Sequence, residues 1–497
     1  MSSRRSFLQR AMAIGAGALS TPRLFAQNGR SSGQAKDDPR SRDLQPGNVA
    51  VETPDTPELP FTLDNGTKVF HLIAEPVKQQ IAPNKTLVLW GYNGSAPGPT
   101  IQVNQGDRVR IILDNHLPEP TSMHWHGFEI PHGVDGGPGV SQPPIKPGER
   151  YVYEFTLHQA GTYFYHSHMA MQEMMGMLGA FIMHPKQPHR PAVDKDFVIL
   201  LQEYAVLPNN VVPNSMNMEF NWLTMNGKTA PATTPLIVRL GDRVRIRLIN
   251  LGMDHHPIHL HGHTFHTTGT EAGRIPESAW CPGNTVLVGV AQARDIEFVA
   301  NNPGSWMLHC HLPHHMMNQM SSNVGPMTRR PGGEMPAGVG MENGMGMLTG
   351  KPGVPGGDDY GASLGRGMGA GSTNDQPTGH GPVARQKAEN PAAMPDMHGL
   401  EMGRDHADIR PDAESVPGFP QDAYMEGPAM AMDEMVDKPE NYGLPRGWSG
   451  FMQGMMTFVR VLPPDQYEEI TRRIRQSKKP GMADMPGMDM QDMKHSR

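Results

Sequence analysis

The sequence predicts an all-β chain built from two tandem β-sandwich domains, and three observations carry that reading. Gly106-Asp-Arg-Val-Arg-Ile111 recurs as Gly241-Asp-Arg-Val-Arg-Ile246, an offset of 135 residues, which marks an internal duplication. Alternating apolar and polar runs at 109–113, 151–155 and 244–248 are separated by Gly, Pro and Asn turns, the pattern of strands with one buried face. His124 and His126, shifted by the same 135 residues, land on His259 and His261. The first copy is expected over residues 46–190 and the second over 191–330, each long enough for its own core.

The second copy carries the densest chemistry. Cys310 lies between His309 and His311, and His315 and Met320 follow it at five and ten residues. Successive side chains on a strand point to opposite faces, so His309 and His311 share a face, with Cα atoms about 6.6 Å apart, while Cys310 points the other way. A thiolate, two imidazoles and a distant thioether are the ligands of a blue electron-transfer copper. Cys310, His315 and Met320 supply three of these, and His256, in His256-Pro-Ile-His259-Leu-His261, supplies the fourth. Two further pairs, His124-Trp-His126 and His166-Ser-His168, join His259, His261, His309 and His311 to make eight imidazoles in four pairs. Zinc also binds histidine clusters, but it has no need of the Cys, His and axial Met arrangement.

These four motifs resemble the copper signatures of the multicopper oxidases, and the resemblance covers about residues 60–325. It implies cupredoxin-like Greek-key domains and four coppers per functional unit: one type 1, one type 2 and two type 3. Carried over, His256, Cys310, His315 and Met320 hold the type 1 ion. His124 and His259 hold the type 2 ion, and His126, His166, His168, His261, His309 and His311 the type 3 pair. Electrons enter at the type 1 site, pass through Cys310 to its flanking histidines, and reduce dioxygen to water. Asp135, in His132-Gly-Val-Asp135-Gly, resembles the family's acid near the type 2 ion and is the candidate for proton delivery; read from the residues alone it is an Asp-Gly turn.

The duplication also shows what the first copy lacks. Opposite His256, Cys310 and His315 stand Thr121, Ser167 and Gln172, and only Met177, opposite Met320, matches. The first domain therefore supplies half of the histidine cluster and no blue site. His168 and His256 are 88 residues apart, too few for an additional middle domain. The chain is thus similar to the two-domain bacterial laccases, a likeness that implies a homotrimer with each cluster shared between the first domain of one subunit and the second of the next. An axial methionine implies a lower potential than an apolar residue, which favours easily oxidised donors: Cu(I), phenols and Fe(II), with Mn(II) open. The alternatives are a copper nitrite reductase, whose blue site belongs in the first domain, and a copper-sequestering protein, for which eight cluster ligands are superfluous.

Composition bears on compartment and tail. Arg4 and Arg5, then the small apolar stretch 11–19, resemble a twin-arginine export signal over residues 1–26, so the mature protein is expected to be periplasmic or otherwise extracytoplasmic. No later apolar run approaches the length of a membrane span, and a net charge of −7 argues against a nucleic-acid partner. With Cys310 committed to copper, Cys281 reads as a small packed or partly buried thiol. Residues 331–497 are rich in Met, Gly and Pro and read as a mostly disordered tail, with short helices in 448–475. Twenty-one of the 38 methionines follow Ser321. Soft thioethers there can gather Cu(I), or simply fill space; the same alternatives apply to the cluster of Met169, Met171, Met174, Met175 and Met177.

Overall fold

The computed structural model describes residues 44–83, 85–169, 171–206, 210–215, 220–316 and 432–477. The export signal, Met320 and most of the methionine-rich stretch lie outside them.

The first half contains β1 (Thr62–Asp64), β2 (Thr67–Ala82), β3 (Lys85–Tyr92), β4 (Ile101–Asn104), β5 (Arg108–Asn115), β6 (His124–His126), β7 (Arg150–Thr156), β8 (Gly161–His166) and β9 (Leu178–His184). One sheet runs β1-β2-β5-β7 with β3 on β2, and the other runs β4-β9-β8-β6. Between them lies a core that includes Phe70, Ile111, Trp125, Tyr153 and Phe181.

The second half contains β10 (Lys195–Tyr204), β11 (Trp222–Met225), β12 (Leu236–Arg239), β13 (Arg243–Asn250), β14 (His256–Leu260), β15 (Phe265–Thr270), β16 (Gly273–Arg274), β17 (Cys281–Gly283), β18 (Thr285–Val288), β19 (Gln292–Val299), β20 (Gly304–Cys310) and β21 (Met456–Leu462). Its sheets are β11-β10-β13-β19-β15-β16, with β17 on β15, and β12-β21-β20-β14-β18.

The duplication is visible atom by atom in the turn before each repeated strand. Asp107 Oδ2 accepts from the Asn104 amide at 2.7 Å and Asp242 Oδ2 from the Arg239 amide at 3.1 Å. Gly106 and Gly241 take φ of 98° and 94° there, which a side chain would oppose. β5 then pairs parallel with β2, as β13 does with β10. The halves meet through a separate apolar layer in which Phe164, Ala180 and Ile182 join Val198, Leu200 and Ile249. Arg247 crosses that junction, donating to Thr162 Oγ1 at 2.6 Å.

The C-terminal expectation requires correction. Of the short helices read over 448–475, the structure has a single 3-10 turn, Trp448–Phe451, and a helix, α1 (Pro464–Ser477). Between them β21 inserts between β12 and β20, its backbone hydrogen-bonded to both and every residue buried. The second domain therefore resumes after residues 317–431 and does not end at 330. Tyr467 and Ile470 of α1 cover Ile237 and Leu462, and Lys438 reaches Asp55 at 2.8 Å. A strand buried on both faces carries no alternation, so its pattern is hidden among tail residues. Among the described residues no helix is long and apolar enough to cross a membrane.

Candidate metal centre

Strand pairing positions the first cluster. Ile258 on β14 lies opposite Cys310 on β20; His256, two residues before Ile258, points to the same core face. His315 follows on the 3-10 turn Pro313–Met316. His256 Nδ1 lies 3.2 Å from His315 Nδ1, and Cys310 Sγ lies 3.7 Å and 3.5 Å from those two atoms. All three side chains are buried. An ion about 2.0–2.3 Å from nitrogen and sulfur ligands spans separations of about 3–4 Å, so the donor set fits a single ion in a thiolate-imidazole site of blue-copper type. Burial pushes the Cys310 thiol up to about 12, and a bound cation displaces that proton.

The opposite ring nitrogens of both histidines are held by carboxylates: Glu203 Oε2 at 3.1 Å from His256 Nε2, and Asp254 Oδ2 at 3.4 Å from His315 Nε2. Such partners orient the ring and leave Nδ1 for the metal. Glu203 carries no motif and was not readable from the sequence. The signal for Asp254 was only its nearness to His256.

The remaining histidines form two quartets built alike. In the first half His124 rings against His126, His166 and His168; in the second His259 rings against His261, His309 and His311. His166 Nδ1 donates to the Ser167 carbonyl at 2.9 Å and His309 Nδ1 to the Cys310 carbonyl at 2.8 Å. His124 and His259 donate likewise to the carbonyls of Asp135 and Asn284 at 2.8 Å and 2.7 Å. Their Nε2 atoms are thereby left as acceptors. His126 Nδ1 approaches His166 Nε2 at 3.3 Å, and His261 Nε2 approaches His309 Nε2 at 3.0 Å, spacings a shared ion spans. Burial holds His126 and His166 down to about 4 and about 3, so both rings are neutral at ordinary pH and free to act as ligands. His168 and His311 are exposed. No ring contact among the described residues joins one quartet to the other.

The first domain shows what stands in the place of the His256, Cys310 and His315 cluster. Thr121 Oγ1 and Ser167 Oγ both donate to Gln172 Oε1, at 2.8 Å and 2.6 Å, so three buried polar side chains satisfy one another where the second domain converges His256, Cys310 and His315. Asp135 lies beside His124, its Oδ1 3.5 Å from Nδ1, and is 40% exposed. Cys281 is a free, exposed thiol, which corrects the expectation that it is packed or partly buried: it sits on β17, which pairs only with β15 among the described strands.

Residues 75–188 match one multicopper oxidase family model and residues 205–327 match a second. Copper resistance protein A of Escherichia coli is 42% identical over 112 residues, covering 22% of this chain and 18% of that protein. Laccase-1 of Fomitopsis schrenkii is 35% identical over 192 residues, covering 35% of each. The chain thus spans between about a fifth and a third of the length of these relatives. Among solved structures, a blue copper oxidase from Nitrosomonas europaea is 31% identical, with 50% of this chain and 81% of that chain covered at a TM-score of 0.46.

Proposed function

We propose that this chain, whose residues 75–188 and 205–327 match multicopper oxidase family models, is a member of that family and couples one-electron oxidation of a phenol or a reduced metal ion to four-electron reduction of dioxygen to two waters. Copper supplies the redox chemistry: a type 1 ion that takes single electrons, and a three-ion cluster that delivers four to oxygen.

The observation that carries the proposal is the position of Cys310 on β20. Its sulfur faces His256 and His315 in the core, while its neighbours His309 and His311 face the second quartet. One residue of backbone therefore separates the site that receives electrons from the site that spends them. His124 and His259 are assigned to the type 2 ion and the six other paired histidines to the type 3 ions. Asp135, beside His124 and open to solvent, is the assigned proton donor.

Among the described residues no ring contact joins the two quartets, and each quartet exposes one histidine. This supports a homotrimer in which the cluster closes between subunits. Cu(I) is the favoured metal donor: Met307, Met316, Met452 and Met456 gather in one cluster, with Met316 next to His315 in the sequence, and thioethers are soft ligands. Fe(II), Mn(II) and phenols complete the donor set to be tried. Export by the twin-arginine route to an extracytoplasmic compartment completes the proposal.

Oxygen uptake by the copper-loaded protein, with a phenol and with Cu(I) as separate donors and copper counted per chain, tests it. Four coppers with oxygen consumed are expected. Copper bound without oxygen uptake would point instead to nitrite reduction or sequestration.

A further inference from the structure

We infer that Met455 supplies the thioether on the fourth side of the His256, Cys310 and His315 site, an assignment that rests on the copper reading above. Sequence spacing alone pointed to Met320, five residues after His315.

Register is the first argument. β20 and β21 pair antiparallel, with Leu308 opposite Thr457 and His309 opposite Met456. One step further places Met455 opposite Cys310, and the Cys310 amide donates to the Met455 carbonyl at 3.0 Å. Directly opposed residues of an antiparallel pair present their side chains to the same face. Cys310 and Met455 are accordingly both fully buried in one apolar cluster, together with Ile258 and Val459. The Met455 amide in turn donates to the His315 carbonyl at 2.9 Å. Its backbone is thus clipped to two of the three metal-binding residues at once.

The internal duplication supplies the second, independent argument. In the first domain Ser167 and Gln172 occupy the places of Cys310 and His315. There the Ser167 amide donates to Met177 at 3.0 Å, and the Met177 amide donates to Gln172 at 3.3 Å. The same two hydrogen bonds link Cys310, Met455 and His315. Met177 and Met455 are both 0% exposed. Met455, separated from His315 by residues 316–454, is therefore the structural counterpart of Met177. The inserted stretch enters between two residues of one site, which explains why spacing in the sequence selects a different methionine.

A methionine at this position is also an ordinary filler of a core, and the test separates the two roles. The full chain is loaded with Cu(II), and the thiolate absorption, the paramagnetic spectrum and the reduction potential are recorded for the parent, Met455→Leu, Met455→Gln and Met320→Leu. Leucine conserves volume at a buried methionine, so a matching thermal melt shows that folding is unaffected. The axial ligand tunes the potential of such a site. Met455→Leu is expected to raise the potential and Met455→Gln to lower it, each with an altered spectrum, while Met320→Leu matches the parent. Parental spectra and potential in both Met455 variants, or a shift in Met320→Leu, overturn the assignment. A parent without any thiolate-to-copper band defeats the underlying copper reading instead.

Discussion

Glu203 Oε2 lies 3.1 Å from His256 Nε2, and neither side chain has any exposed surface. Its other oxygen accepts from the amides of Met253 and Asp254, the latter at 2.9 Å, so the carboxylate is held before any metal arrives. A Cβ on Gly252 would come within 2.0 Å of Oε2, which is why the loop after β13 passes this close only as glycine. A carboxylate behind a metal-binding imidazole raises its basicity, and loss of such a partner costs about 10–100-fold in metal affinity. Glu203→Gln keeps the shape and removes the charge. Competition with a chelator, followed through the thiolate band, should show copper affinity falling within that range. Unchanged affinity would reduce Glu203 to packing.

The repeated Arg-Val-Arg strand offers an internal comparison of one ion-pair motif in two environments. Glu154 pairs with Arg108 and Arg110 at 2.6 Å each and keeps 26% of its side chain exposed. Glu297 pairs with Arg243, Arg245 and Arg274 at 3.0, 2.8 and 2.6 Å and is fully covered. Burial alone would raise the Glu297 carboxyl, but the guanidinium groups of Arg245 and Arg274 prevail and hold it down to about 2. The folded value lies below that of the unfolded chain, about 4.3. The contribution of Glu297 is therefore complete above that value and is lost as pH falls towards 2. Breaking a buried pair strands its partners, so Glu297→Gln should cost about 3 kcal/mol at pH 7 and flatten the acid limb of stability. Glu154→Gln should do little, because exposed pairs are screened. Denaturant unfolding of the metal-free protein at pH 7, 5 and 3 measures both, and equal effects would contradict the comparison.

A stop after Thr328 looks harmless if the C-terminal third is only a tail. The structure predicts the opposite, because among the described residues β12 pairs with no strand but β21, and β20 would lose one neighbour along its whole length. Val459 and Val461 also leave the second domain's core. The truncated chain should lose cooperative unfolding of that domain and its thiolate-copper band, whereas a stop after Ser477 should keep both. A shortened chain with a parental melting profile would show β21 to be dispensable.

The contrast explains which features were legible beforehand. The histidine pairs and Cys310 were readable because a strand repeats every two residues and a flanked thiolate has few other uses. The two-sandwich architecture followed from the repeated turn at Asp107 and Asp242. β21 was not readable: it is buried at every position and follows a long Gly- and Pro-rich stretch. Glu203 was not readable either, since only the packing of β10 beneath β14 brings it to His256. Local pattern thus brought out the paired histidines and Cys310, and three-dimensional closure was needed to bring Glu203 and β21 to them.

The separation of the two quartets makes a quantitative prediction about assembly. His126→Ala damages only the first quartet, and His261→Ala only the second. If each cluster closed within one chain, no mixture of the two variants would contain an intact cluster. In a ring where the first domain of one subunit meets the second domain of the next, an intact cluster forms wherever a His261→Ala subunit offers its first domain to a His126→Ala neighbour. For random assembly from equal amounts, that occurs at about one interface in four. The intact interface also retains a complete His256, Cys310 and His315 site, because that site lies in the undamaged second domain. Co-expressed variants should therefore recover about a quarter of the parental oxygen uptake, while each alone stays near zero. Recovery absent from mixed trimers, with subunit exchange verified by mass, would place the cluster inside a single chain.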